Sequence, residues 1–322
     1  MRAALLHEHG ATPRLGELPE PTPGPGEVVV EVAAAGLHHL DLHKASGTFY
    51  MGPPPLPSAV GTDGVGRLAD GRRVYFDATV APFGSMAELA LVPEAALFEV
   101  AEDLDDAAAA ALGNTGLGAW LALAWRSSLQ PGETVLVLGA TGATGAVAVQ
   151  AAKLLGAGRV VAAARGGERL RRLLERGADA IVAIDGDGDL AGALRDAAGG
   201  AIDVTIDTLW GEPARAAIAA AARRGRHVQV GQIAGVVLEL AAPAVRSVSL
   251  DLRGFSVAHP PVEVRREGYL ELTRHAARGD IVVELERIPL EQVHAAWERQ
   301  HQAVGAAKLV LMPANSQRRP ST

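Results

Sequence analysis

The segment Thr134-Val135-Leu136-Val137-Leu138 runs straight into Gly139-Ala140-Thr141-Gly142-Ala143-Thr144-Gly145, and an apolar-periodic stretch follows. A strand, a glycine-rich turn and a helix in succession is the context that gives a glycine fingerprint its meaning. Gly142 lets the backbone approach a pyrophosphate, and Gly145 lets the helix pack closely on the strand. The helix N-terminus adds N–H groups and a partial positive charge. The pattern departs from G-x-G-x-x-G because Ala140, preceded by Gly139, replaces the first glycine. The alternative reading is a tight βα turn that holds no ligand.

The surrounding rhythm favours the dinucleotide reading. Strands are expected at Thr134–Leu138, Arg159–Ala163, Ala180–Ile184, Asp203–Ile206 and Arg226–Val230, with helices at Ala143–Leu155, Glu168–Arg176, Asp189–Ala197 and Pro213–Ala222. Alternating strands and helices of this length imply a parallel sheet covered on both faces. Val236–Leu240 is expected to add an edge strand. An exposed apolar edge is a liability unless covered, so pairing with a second subunit, as a homodimer, is expected there. The strand after the glycine loop selects the cofactor. An NAD site places Asp or Glu at its tip, about 20 residues on, to bind the ribose 2′-OH. Here that strand ends Ala162-Ala163-Ala164-Arg165, without an acid. Arg165 and Arg169 suit a 2′-phosphate through charge-assisted hydrogen bonds, which points to NADPH. The alternative is that both are solvated charges on a basic helix.

The first third has a different texture. Pro23-Gly24-Pro25-Gly26 announces the strand Glu27–Val32, and Arg72–Phe76 reads as another, so this part is expected to be mostly β. Helices are expected at Asp105–Leu112, Thr115–Arg126 and Val264–Arg278. The strand Lys308–Leu311 is expected to return to the first domain. At roughly 150 residues per domain, 322 residues suggest two domains. A net charge of −7 argues against nucleic acid as a main partner, and the absence of cysteine excludes disulfides and Cys-ligated zinc. The N-terminus lacks the apolar run of a signal peptide, and no stretch approaches a membrane span. A cytoplasmic location is the expectation.

The chain also resembles the medium-chain dehydrogenase/reductase superfamily, within it the zinc-independent quinone oxidoreductase branch. The resemblance spans nearly the whole chain. It is carried by Gly36-Leu37-His38-His39-Leu40-Asp41-Leu42-His43, Pro57 to Gly66, the loop Gly139–Gly145, and Ala307-Lys308-Leu309-Val310-Leu311. It implies an α/β protein: a GroES-like β domain from residues 1–115 and 252–322, plus a doubly wound parallel-sheet Rossmann domain, 116–251, that binds NADPH. Zinc-dependent relatives place Cys, His and Cys on the metal, where this sequence has His38, Thr62 and Ala111. A catalytic zinc needs three good ligands and a water, and here only His38 is one, with Asp63 a poor second. His39 and His43 share a helical face but lack a third partner, so no metal is expected.

Without a Lewis acid, the resemblance implies NADPH-dependent hydride transfer to a small-molecule quinone or α,β-unsaturated carbonyl. Negative charge then delocalises onto the acceptor oxygen, and the protein mainly orients the partners and donates hydrogen bonds. His43 stands where relatives carry a tyrosine or a relay histidine, and is the candidate proton donor; water is the alternative. His38 stands where the branch carries a cofactor-cleft asparagine. Tyr50 is a candidate phenolic donor or pocket wall. Thr115 and the Gly231-Gln232 backbone are expected on the nicotinamide side. Rival readings remain an alcohol dehydrogenase-like reductase of ketones or aldehydes and an NADPH-binding protein without turnover.

Overall fold

The computed structural model describes residues 1–49, 52–186, 188–302 and 307–313. The chain divides into two compact units. One contains Met1–Thr115, Val262–Arg278 and 283–322; the other contains Gly116–Pro261 and Gly279–Val282.

The first unit begins with strands β1 (Arg2–Leu6), β2 (Arg14–Glu17) and β3 (Glu27–Gly36), followed by the short helix α1 (His39–Ala45). Strands β4 (Ser58–Ala59), β5 (Gly64–Arg67), β6 (Arg73–Phe76), β7 (Leu89–Pro93) and β8 (Leu97–Phe98) follow, then helix α2 (Asp106–Leu112); helix α3 (Asn114–Leu121) starts at the end of this segment and continues in the second unit. Asp105 caps α2 by accepting the amides of Ala107 and Ala108 at 3.0 and 3.1 Å. Leu6, Val32, Phe76, Met86, Trp297 and Leu311 belong to the core of this unit.

The second unit is organised by a sheet in which every pairing is parallel. Its strands are β9 (Thr134–Leu138), β10 (Arg159–Ala164), β11 (Ala180–Ala183), β12 (Ile202–Asp207), β13 (Ala221–Gln229) and β14 (Asp251–Gly254). The helices are α4 (Ala143–Leu154), α5 (Glu168–Arg172), α6 (Leu190–Ala198), α7 (Gly211–Ala219) and α8 (Ala242–Arg246). The strand order β11-β10-β9-β12-β13-β14 is the doubly wound order of a Rossmann domain. Because both faces are covered, Val135 to Leu138 are buried without alternation. The order reverses between β9 and β12, which defines the switch point where such sheets bind ligands.

The chain then returns through α9 (Val262–Ala277), β15 (Leu285–Pro289), α10 (Val293–His301) and β16 (Lys308–Met312). β16 pairs antiparallel with β3, Val310 opposite Gly36, in a sheet of order β15-β16-β3-β5-β6-β8 with β7 on β3. No single helix among the described residues is long and apolar enough to cross a membrane.

Two expectations need correction. Val236–Leu240 forms no strand, and Val236 and Val237 are 72% and 73% exposed. The edge belongs to β14, whose ladder with β13, from Arg226–Asp251 to Gln229–Gly254, takes the position that the apolar segment would need. The helix expected to end at Ala222 stops at Ala219, and β13 begins at Ala221. There the pairing of Ala221 with Ile202 overrides alanine's helix propensity. Because β14 pairs into the parallel sheet, residues 252–261 sit with the second unit.

An aromatic cluster anchors α9 in the first unit. Tyr269 stacks on Tyr75 with ring centroids 4.1 Å apart, and its hydroxyl donates to the Ala109 carbonyl at 2.9 Å. Tyr269→Ala is expected to lower the unfolding free energy by about 3–5 kcal/mol, the cost of emptying a large aromatic site. Urea denaturation checks this; a loss below about 1 kcal/mol would contradict the packing described.

Candidate active site

The first component is the glycine loop at the switch point. A Cβ on Gly145 would fall onto the Gly139 carbonyl oxygen and 2.6 Å from Ala140 Cα, so the first turn of α4 lies directly on the tip of β9. Gly139 has φ +76°, and a Cβ there would run into the Thr208 hydroxyl. Gly142 differs. It is exposed at the N-cap of α4, and its nearest neighbour to a Cβ is the Gly139 oxygen at 3.4 Å. Its open side faces away from the protein's own atoms, as a ligand's backbone approach requires. The amides of Ala143, Thr144 and Gly145 open the helix, where N–H groups have no intrahelical acceptor. Thr141 and Ala140 complete the turn; Ala140 is buried.

The neighbouring strand tips close around this loop. The Thr208 hydroxyl donates to the Leu138 carbonyl at 2.9 Å, and a Cβ on Gly231 would lie 2.6 Å from the Thr208 carbonyl oxygen. Gly139, Thr208 and Gly231 therefore stack where β9, β12 and β13 end, with Gln232 exposed beyond them. Asp207 fixes the crossing by accepting the amides of Leu209 and Trp210 at 2.8 and 2.9 Å. Arg165 follows the last residue of β10 and is exposed, as is Arg169 on α5. Among the described residues neither makes an ion pair, whereas Arg171 and Arg172 pair with Glu168.

The second component lies inside the first unit, around a buried carboxylate. Asp63 accepts from His38 Nε2 at 2.6 Å, the Tyr75 hydroxyl at 2.9 Å and the Asn114 amide at 2.7 Å. Burial pushes the Asp63 carboxyl up, but the His38 ring and the Asn114 amide outweigh it and hold the group below its ordinary value. His38 is 5% exposed, and its Nδ1 lies 3.0 Å from the Thr115 hydroxyl and 2.7 Å from Lys308 Nζ. Lys308 is 6% exposed and also donates to the Leu37 carbonyl at 2.6 Å. Beside these, Asp41 accepts the His38 amide at 2.9 Å and the Thr62 hydroxyl at 2.8 Å, and Lys44 donates to Thr62 at 3.0 Å.

The predicted residues thus separate. His38 and Thr115 come together; His43 is exposed on the last turn of α1, as is His39 near its start. Tyr50 lies outside the described residues. Lys308 went unassigned by sequence reasoning. Its signal was a lone charge inside the apolar run Ala307-Lys308-Leu309-Val310-Leu311, and only the pairing of β16 with β3 carries it to His38.

Comparison with known proteins places this geometry. A family described as zinc-binding dehydrogenase matches residues 143–272. Quinone oxidoreductase-like protein 2 of Mus musculus is 31% identical over 245 residues, covering 73% of this chain and 69% of the relative. The chain belongs to the medium-chain dehydrogenase/reductase superfamily, in its quinone oxidoreductase-like branch. The fold of a mycobacterial quinone oxidoreductase superposes with a TM-score of 0.87 at 25% identity, over 97% of this chain and 100% of the other. A mycobacterial structure complexed with NADPH superposes at 0.86, with the same identity and coverage.

Zinc-dependent members of this superfamily pose a question of fit, which the donor set answers. Among the described residues no three His, Cys, Asp or Glu side chains are grouped to hold a metal. Both nitrogens of His38 are engaged, Thr62 is bonded to Asp41, and Ala111 offers no donor atom. An ammonium group already sits on the only strong nitrogen ligand. The set does not fit a catalytic zinc.

Burial lowers the Lys308 pKa from 10.5 to about 8, with Asp63 and Asp41 opposing the fall. Between these values the unfolded chain holds more protons than the folded one, so stability rises with pH through this window. The unfolding free energy of the wild type relative to Lys308→Met should therefore grow from pH 8 to pH 10.5, by up to ~3 kcal/mol. Paired denaturation curves measure it; a difference flat with pH would contradict it.

Proposed function

We propose that this chain is an NADPH-dependent, metal-independent oxidoreductase that transfers hydride to a quinone or an α,β-unsaturated carbonyl. The observation that carries the reading is the glycine loop at the switch point, crowded at Gly139 and Gly145 and open at Gly142. The exposed Arg165 stands where an NAD site would place an acid. The relatives named as quinone oxidoreductases, and the similar structure complexed with NADPH, support it.

In this reading the amides of Ala143 to Gly145 and the α4 dipole hold the pyrophosphate. Arg165 and Arg169 hold the 2′-phosphate, and Gly231 and Gln232 orient the nicotinamide end. NADPH supplies the hydride. On the acceptor, the new C–H bond of an enone, or the reduced ring of a quinone, leaves negative charge on oxygen. Hydrogen-bond donors stabilise that charge, and a proton from His43 or from water neutralises it. The donor set around His38 favours this chemistry over carbonyl reduction by a metal Lewis acid. A homodimer fits the exposed edge of β14, with the apolar residues Ile233, Val236 and Val237 also exposed on this unit.

The test is NADPH oxidation against quinones, enones, ketones and aldehydes, with Arg165→Ala alongside. Quinones or enones should be the acceptors. Arg165→Ala should raise Kd for NADPH roughly 10- to 100-fold, the loss of a charge-assisted contact, while leaving NADH nearly unchanged. Equal losses for both cofactors, or turnover confined to simple ketones, would count against the reading.

A further inference from the structure

Three ionisable side chains, His38, Asp63 and Lys308, lie together in the interior of the first unit. A buried ionic group of this kind contributes little net stability, because desolvation offsets the attraction. The directions of its hydrogen bonds follow from the ammonium. An ammonium can only donate, so His38 Nδ1 accepts from Lys308 and the ring proton sits on Nε2, where it is donated to Asp63. The imidazole has one lone pair at Nδ1. The Lys308 contact at 2.7 Å is shorter than the Thr115 contact at 3.0 Å and is charge-assisted, so the ammonium takes it. Thr115 is left with a hydroxyl proton that His38 does not require.

We propose that Lys308 is a positioning residue that acts through His38, holding its ring as the Nε2–H tautomer against Asp63 and leaving the Thr115 hydroxyl proton free of the ring. Its ammonium, 2.7 Å away, also occupies the Nδ1 lone pair that a divalent cation would need. The arrangement explains why a strand otherwise buried and apolar carries a lysine. It also predicts that Lys308 can be replaced without collapse, since Asp63 keeps its bonds from His38, Tyr75 and Asn114. The kinetic consequence rests on the reductase reading above; the tautomer does not.

Side-chain 15N NMR of histidine-labelled protein tests the proposal in the wild type and in Lys308→Met. The wild type should show His38 as the Nε2–H tautomer at neutral pH. Lys308→Met should shift the His38 Nδ1 resonance, as expected on loss of a charged donor. With 1,4-benzoquinone as acceptor, kcat should fall by roughly 100-fold while Kd for NADPH changes by less than about threefold. A wild-type Nδ1–H tautomer would overturn the proposal even if the variant does not fold, and so would an unchanged His38 spectrum in Lys308→Met. Failure of the wild type to oxidise NADPH with any acceptor would instead refute the reductase reading, and the NMR result would still decide the role of Lys308.

Discussion

The contact between the first turn of α4 and the tip of β9 governs what the second unit can be. No side chain fits at Gly145, so helix and strand meet there through backbone alone, and none fits at Gly139 beside Thr208. The same closeness recurs at Gly231 against Thr208, and the ends of three parallel strands are drawn into one compact layer. The proposed dinucleotide site is built on that layer. The helix amides open onto the crevice, Gly142 leaves space beside them, and Arg165 stands at the end of the adjoining strand. A side chain at Gly145 would push α4 off the tip of β9, and one at Gly139 would run into Thr208.

The first unit solves a different problem, the burial of charge. Asp63 is surrounded by donors from three parts of the chain, and its carboxylate is satisfied without a metal. Lys308 then completes the balance from a strand 270 residues away from His38. The side chains of His38, Asp63, Tyr75, Thr115 and Lys308 are bonded into one network, the condition under which buried polar groups persist. It holds the His38 ring and the Thr115 hydroxyl in fixed orientations.

Much of this was legible in the sequence, for local reasons. The strand before the loop is a continuous apolar run, and the glycines sit at positions where backbone closeness is needed. β9 and the start of α4 therefore fell where periodicity placed them. The family resemblance and His38 were also readable, since Gly36-Leu37-His38 is a contiguous motif. What escaped was non-local. Val236–Leu240 has the apolar texture of a strand, but a ladder needs a partner, and β14 already held the edge. Ala221 has the texture of a helix, and its pairing with Ile202 decided otherwise. Lys308 reads as a lone charge until β16 is paired with β3. His43 reads as a neighbour of His38, yet the helix that begins between them turns its side chain to solvent.

The central claim is that the glycine loop and Arg165 form an NADPH site, and equilibrium binding tests it most directly. Titration of the wild type, followed by the fluorescence of the reduced nicotinamide, should saturate. Adenosine 2′,5′-bisphosphate should displace the cofactor far better than adenosine 5′-monophosphate, because only the former carries the 2′-phosphate that Arg165 is proposed to hold. A titration without saturation, or equal displacement by the two competitors, would contradict the account.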